Sequence, residues 1–300
     1  MKTSVDCLPC YLSQALRVAR ICSVDADSQH AVVSAVAALL SDIDMNKTPP
    51  ANAIRIYGAI ARITGCPDPY LQKKQLSNEQ ALEMLPGLRE EIRRAGNPLR
   101  AALYFATAGN IIDYGAAEKF DIEAALDRGR TNVPVLDHTD QFLEMVSGLK
   151  KNAQVLYLAD NCGEIAYDLL VLECLKEYGF DLTVAVKSGP IINDALVEDA
   201  IGCGIGSVAA VIGNGTACPG TPLAECSAEF IRHFQEADLV ISKGQGNFET
   251  LSEIDRQIFF FLTVKCPVVG RHIAELTGKD PADLPGCGET VVYFSGNTTK

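Results

Sequence analysis

The sequence predicts an α/β protein: an N-terminal helical part, then a parallel sheet covered by helices on both faces. Three observations carry this. From Cys10 to about Asp127 apolar residues recur at three- and four-residue spacing. After about Thr131 short apolar runs alternate with helical stretches. The 300 residues give room for one large domain or two modest ones. The change of texture sets the expected boundary near residue 130, with a helical unit over 1–130 and an α/β unit over 131–300.

Leu12, Ala15, Leu16 and Ala19 form a first amphipathic stripe, and Val32, Val33, Val36, Leu39 and Leu40 a second. Pro49 and Pro50 would break an incoming helix and suit the start of the next, whose stripe is Ile54, Tyr57, Ile60 and Ala61. Further helices are expected at 78–96 and 98–105, divided by Gly96, Asn97 and Pro98. Strands are expected at 155–159, 182–186, 208–212, 239–242, 268–269 and 291–294, each a short apolar run closed by a polar or glycine-containing turn. Strands so flat in polarity are buried on both faces, which is the mark of a parallel sheet. Such sheets bind ligands beyond the carboxyl ends of their strands, so the chemistry is sought there.

Composition narrows the function. Hydrophobic residues make up 48% and charged residues 21%, as in an ordinary folded protein. A formal net charge of -12 argues against a nucleic-acid partner, because phosphate backbones are held by clustered Lys and Arg. The runs 258–264 and 208–212 are far shorter than a span across roughly 30 Å of hydrocarbon. Residues 1–10 lack the apolar core of a signal peptide, and eleven cysteines is an odd count, so a cytoplasmic setting with thiols rather than a disulfide framework is expected.

Three polar turns follow candidate strands. The first, Asp160, Asn161, Cys162, Gly163 and Glu164, sets a carboxylate and an amide oxygen before a helix from about Ile165. Such oxygens suit hard divalent ions, though Asp160 as a helix cap and Gly163 as the turn explain the segment about as well. The second, 187–194, brings Asp194, a carboxylate that can face Asp160 and complete a metal cradle; alternatively Asn193 or Asp194 caps a helix over 195–201. The third is Lys243, Gly244, Gln245, Gly246, Asn247, Phe248 and Glu249, where an ammonium and glycine-flanked amides can approach an anion. It matches neither a Walker sequence nor a dinucleotide fingerprint.

In the helical half, Asn110 and Asp113 would share a helix face and can contribute to a substrate pocket, or simply satisfy local backbone. Cys7 and Cys10 form a C-x-x-C pair without a second pair at zinc-finger spacing, so packing thiols are favoured over a metal site. The four histidines are scattered and none is a catalytic candidate.

The chain resembles the damage-control phosphatases. The resemblance rests on Asp6, Cys7, Leu8, Pro9 and Cys10, on Asp68, Pro69 and Tyr70, on the 110–113 cluster, on 160–164, on Pro190 to Asp199, on Lys243 to Glu249, and on Lys265 with Cys266. The opening C-x-x-C is similar to the prokaryotic branch. The resemblance implies a helical subdomain on a three-layer, Rossmann-like α/β domain, and one divalent ion (Mn, Ni, Co or Mg) held by Asp160, Asn161 and Asp194. It further implies that Lys243, Gly244, Gln245, Gly246, Asn247 and Lys265 bind the phosphoryl group, with Glu164 and Asn110 nearby. Cys162 stands where some relatives carry Ala, and Cys218 where an acidic residue is expected.

The expectation is therefore hydrolysis of a small phosphomonoester such as a sugar phosphate or damaged phosphometabolite, with Asp160, Lys243 and Lys265 as catalytic residues. Asp160 lacks an Asp-x-Asp partner, which favours a metal-activated water over an aspartyl intermediate. Two rivals stand beside it: an S-adenosylmethionine-dependent carboxyl methyltransferase, whose glycine-rich first turn is poorly matched, and a metal or metabolite binder without turnover.

Overall fold

The computed structural model of the chain describes residues 1–22, 25–109 and 133–297. The expected site residues Asn110 and Asp113, and the expected boundary at 130, lie outside them.

Helices α1 (Cys7–Ile21), α2 (Ala26–Leu40) and α3 (Pro49–Thr64) come first. The Asp25 carboxylate accepts from the Ser28 amide at the start of α2, and the Thr48 hydroxyl does the same for α3, where Pro49 and Pro50 occupy the first turn without wasting a donor. These helices pack around Tyr11, Ala15, Val32, Val36, Ile56 and Ile60 as a cluster of their own. Helix α4 (Leu71–Arg94) begins a full two turns before the expected residue 78 and carries Pro86 in its interior; α5 (Pro98–Gly109) follows. Both bury their apolar faces in the same cluster as the sheet, through Ala81, Leu85, Leu88, Leu99, Ala102 and Leu103. By packing they are a layer of the sheet domain.

Among the described residues seven strands form one sheet in the order β1-β7-β6-β5-β2-β3-β4. The strands are β1 (Leu136–Asp137), β2 (Gln154–Leu158), β3 (Asp181–Val186), β4 (Ala210–Gly213), β5 (Leu239–Lys243), β6 (Phe259–Val264) and β7 (Glu289–Phe294). The intervening helices are α6 (Thr139–Gly148), α7 (Glu164–Glu177), α8 (Val197–Gly202), α9 (Ala228–Glu236), α10 (Gln245–Leu251) and α11 (Pro267–Thr277). Alternate residues of β2 serve opposite cores: Val155 and Tyr157 join α4, α5, α6 and α7 on one face, Leu156 and Leu158 join α9, α10 and α11 on the other. The result is the three-layer α/β arrangement expected.

Two strand expectations are corrected. Val268 and Val269 lie in α11, not in a strand, because Pro267 occupies its first turn and Gly278 closes it in the left-handed region. The strand of that region is the phenylalanine-rich β6 upstream. The sheet is also not wholly parallel: β7 runs antiparallel to β6 while pairing parallel with β1. Strand β2 is paired parallel on both sides, with β3 and with β5. The turns after β2, β3 and β5 are thereby neighbours.

Candidate active site

The three turns are stitched by backbone before any side chain contributes. The Ala195 amide donates to the Asp160 carbonyl at 2.8 Å, and Cys162 donates to the Asn193 carbonyl at 2.9 Å. Asn161 and Asp194 thus form an isolated antiparallel bridge, and Lys187 and Leu196 a parallel one. Two residues upstream, Ile192 adopts φ of 45°, a left-handed conformation that a β-branched residue holds only at a cost on the order of 1–3 kcal/mol. It is kept there by packing against the cluster of α1–α3. Asp194 does not cap α8. That end is closed by Asp199, whose Oδ2 accepts from the Leu196 amide at 3.0 Å, while the Asp194 carboxylate pairs with Lys187 instead. Nor does Asp160 cap α7, whose cap position is Gly163 at φ of 82°.

The structure brings Asp160, Asn161, Glu164 and Asp194 together. The Asn161 amide nitrogen donates to Asp160 Oδ2 at 2.9 Å and to Glu164 Oε1 at 2.7 Å. Asp160, Glu164 and Asp194 are all buried. Burial and then the charges of Glu164 and Asp194 push the Asp160 carboxyl well above the usual range, against the opposing pull of Lys265 and Lys187. Burial likewise raises Asp194, to about 6, although Lys187 counteracts it. Asp194 Oδ2 is buried without a hydrogen-bond partner, with Lys187 Nζ 3.6 Å away. A buried carboxylate oxygen is costly unless something cationic meets it, and Lys187 does so at ion-pair distance while the carboxylates of Asp160 and Glu164 lie alongside.

The two expected lysines occupy different environments. Lys243 is buried at 1% exposure: its ammonium donates to Asp168 Oδ1 at 2.6 Å and to the Ala106 carbonyl at 3.0 Å, and lies 3.7 Å from Glu164 Oε2. Burial alone would lower its pKa, but Asp168 and Glu164 hold it above the ordinary value. Lys265 is exposed, and its charge acts on both Asp160 and Asp194.

Glycines around β5 permit close approach. A Cβ on Gly244, at φ of 79°, would lie 1.9 Å from Asp160 Oδ2, and one on Gly246 would lie 1.6 Å from the Pro219 carbonyl oxygen. Gln245 ties α10 to the segment after β6: its Nε2 donates to Glu249 Oε1 at 2.8 Å and its Oε1 accepts from the Lys265 amide at 2.8 Å. Asn247 has its polar atoms committed inside the protein. It donates to the Ala159 and Lys243 carbonyls and accepts from Lys187 and Thr221.

Sequence reasoning passed over Lys187, Asp168 and Asn78. Lys187 stands just past β3 as Lys243 stands at the end of β5, and that parallel was the available signal. All eleven cysteines are free. Cys10 is exposed, and burial pushes the half-buried Cys7 thiol up to about 11. Among the described residues no group of three or more His, Cys, Asp or Glu is disposed to hold a metal ion, so any cradle here depends on the Asn161 amide as well as on carboxylates. None of the described helices is long and apolar enough to cross a membrane.

Residues 3–280 match the damage-control phosphatase ARMT1-like domain. The chain belongs to that family. A damage-control phosphatase of Pyrococcus horikoshii is 33% identical over 277 residues, covering 91% of this chain and 94% of that one. A damage-control phosphatase of Archaeoglobus fulgidus is 31% identical over 285 residues, covering 93% and 97%. In fold, the chain is similar to the crystal structure of a DUF89 family protein from Pyrococcus horikoshii, with a TM-score of 0.87, 31% identity and 98% of this chain covered. These relationships support a phosphatase-type function.

Proposed function

We propose that the protein hydrolyses small phosphomonoesters with the help of one divalent cation held by Asp160, Asn161 and Asp194. The observation that carries this reading is the gathering of three buried carboxylates, Asp160, Glu164 and Asp194, with Asp194 Oδ2 lacking a hydrogen bond and ion-paired to Lys187 at 3.6 Å. Mutual repulsion within that set, and its mixture of carboxylate and amide oxygens, fit a hard cation such as Mn²⁺ or Mg²⁺, with Co²⁺ and Ni²⁺ as further candidates. Such an ion, when bound, supplies Lewis acidity and charge neutralisation for phosphoryl oxygens.

The chain's own residues divide the remaining work. Lys265, exposed and close enough for its charge to act on Asp160 and Asp194, supplies the cation that can meet a phosphoryl oxygen arriving from solvent. Lys187 offsets the charge of Asp194 from within. Lys243 is bound to Asp168 and Glu164, so in this reading it holds Glu164 in place, and with it the Asn161 amide, while Lys265 takes the contact with substrate. Gly244 lets the end of β5 lie against the Asp160 carboxylate.

The test is release of phosphate by metal-stripped protein from sugar phosphates and an aryl phosphate, with Mn²⁺, Ni²⁺, Co²⁺ and Mg²⁺ restored singly. Activity is expected to return with metal in the wild type and to stay at background in Asp160→Ala and Asp194→Ala. Metal-stimulated turnover surviving in both variants would remove the reading.

A further inference from the structure

We infer that Asn78 is a positioning residue that locks the turn after β2 to the segment after β3, so that helix α4 sets the spacing of the proposed cation ligands; the inference rests on the reading above. Asn78 lies in the second turn of α4 and is nine-tenths buried. Its Oδ1 accepts from the Gly163 amide at 2.6 Å, and its Nδ2 donates to Asp199 Oδ1 at 3.1 Å. One carboxamide therefore joins the turn that carries Asp160 and Asn161 to the segment that carries Asp194.

The chemistry of the partners requires an amide here. Gly163 offers only a donor and Asp199 only an acceptor, and among side chains of this length Asn supplies one of each in a fixed plane. Asp199 is held in turn. Its Oδ2 accepts from the Leu196 amide, and Lys74 Nζ lies 3.8 Å from it. Lys74, at 1% exposure, also pairs with Asp68 Oδ2 at 2.7 Å. Helix α4 thus presents a buried Lys and a buried Asn four residues apart on one face, both directed at the segment after β3. Gly163 lies three residues beyond Asp160, and Asp199 closes the helix that follows Asp194. A shift of either turn changes the separation of the ligands directly.

Residues that orient metal ligands typically cost about 10- to 100-fold in metal affinity when removed. Asn78→Ala is expected to weaken Mn²⁺ binding to the metal-stripped full chain by that factor in a calorimetric titration. Asn52→Ala is the control. Asn52 is as deeply buried, and its carboxamide donates to Thr3 and to the Asp44 carbonyl rather than to either turn that carries the proposed ligands, so its loss should lower the melting temperature comparably and leave Mn²⁺ affinity unchanged. Should Asn78→Ala fold poorly, Asn78→Asp keeps the acceptor for Gly163, loses the donor to Asp199, and is expected to weaken Mn²⁺ binding about 10-fold or more. Wild-type affinity in a folded Asn78 variant, or an equal loss in Asn52→Ala, overturns the positioning role alone. Absence of Mn²⁺ binding by the wild type overturns the underlying reading with it.

Discussion

Lys243 and Lys265 look alike in sequence and differ in what surrounds them. Lys243 balances Asp168 and Glu164 in a fully buried setting, so Lys243→Ala leaves two buried carboxylates uncompensated and should cost about 3–5 kcal/mol in urea unfolding. Lys265→Ala should leave stability within about 0.5 kcal/mol of wild type while sharply reducing metal-stimulated turnover. The reverse pattern would exchange their roles. A third residue, Glu249, carries a pH signature. Burial raises its carboxyl from an ordinary 4.5 to about 7, so between those values the folded state keeps a proton that the unfolded chain has released. Stability from this group is therefore complete below about pH 4.5 and lost as pH rises through 7. Glu249→Gln removes the effect and can still accept from Gln245. Between pH 5 and pH 8 the wild type should lose on the order of 3 kcal/mol more than the variant in urea unfolding, and identical profiles would refute the assignment.

At the scale of elements, the sequence was most legible where patterns are short and uniform. Strands β2, β3, β5 and β7 lie within a residue or two of expectation because their runs are apolar on both faces and end in turn residues. Val268 and Val269 misled because two β-branched residues say nothing about the proline before them, whereas the longer run of β6 was read only for its length. The two-residue β1 carries no pattern, and the antiparallel pairing of β7 is not written in its own apolar run. The turns that carry Asp160, Asp194 and Lys243 were visible because polar residues after apolar strands stand out. Their reinforcement was not: Asn78 reaches Gly163 and Asp199 across 85 and 121 residues, and pairings at such separation leave no local trace. Asn247 shows the same limit, since as a keystone between β2 and β5 it is indistinguishable in sequence from a ligand-facing Asn. Asn247→Ala strands several buried partners and should destabilise by roughly 2–4 kcal/mol in urea unfolding.

At the scale of the molecule, helices from the N-terminal half and loops from the sheet are one mechanical unit around the site. Asn78 fastens α4 to the turn after β2, the Cys218 thiol lies 3.2 Å from the Pro50 carbonyl, and Ile192 is seated in the α1–α3 cluster. Binding a cation to buried carboxylates should stabilise this unit as a whole. At a hundred times the dissociation constant, Mn²⁺ is expected to add about 2.7 kcal/mol to the unfolding free energy of the wild type and nothing to that of Asp194→Ala. The most direct measurement is an anomalous difference map from crystals soaked in Mn²⁺. One peak is expected within about 2–2.6 Å of side-chain oxygens of Asp160, Asn161 and Asp194. A fully occupied peak elsewhere, with those three residues bare, would contradict the shared cradle.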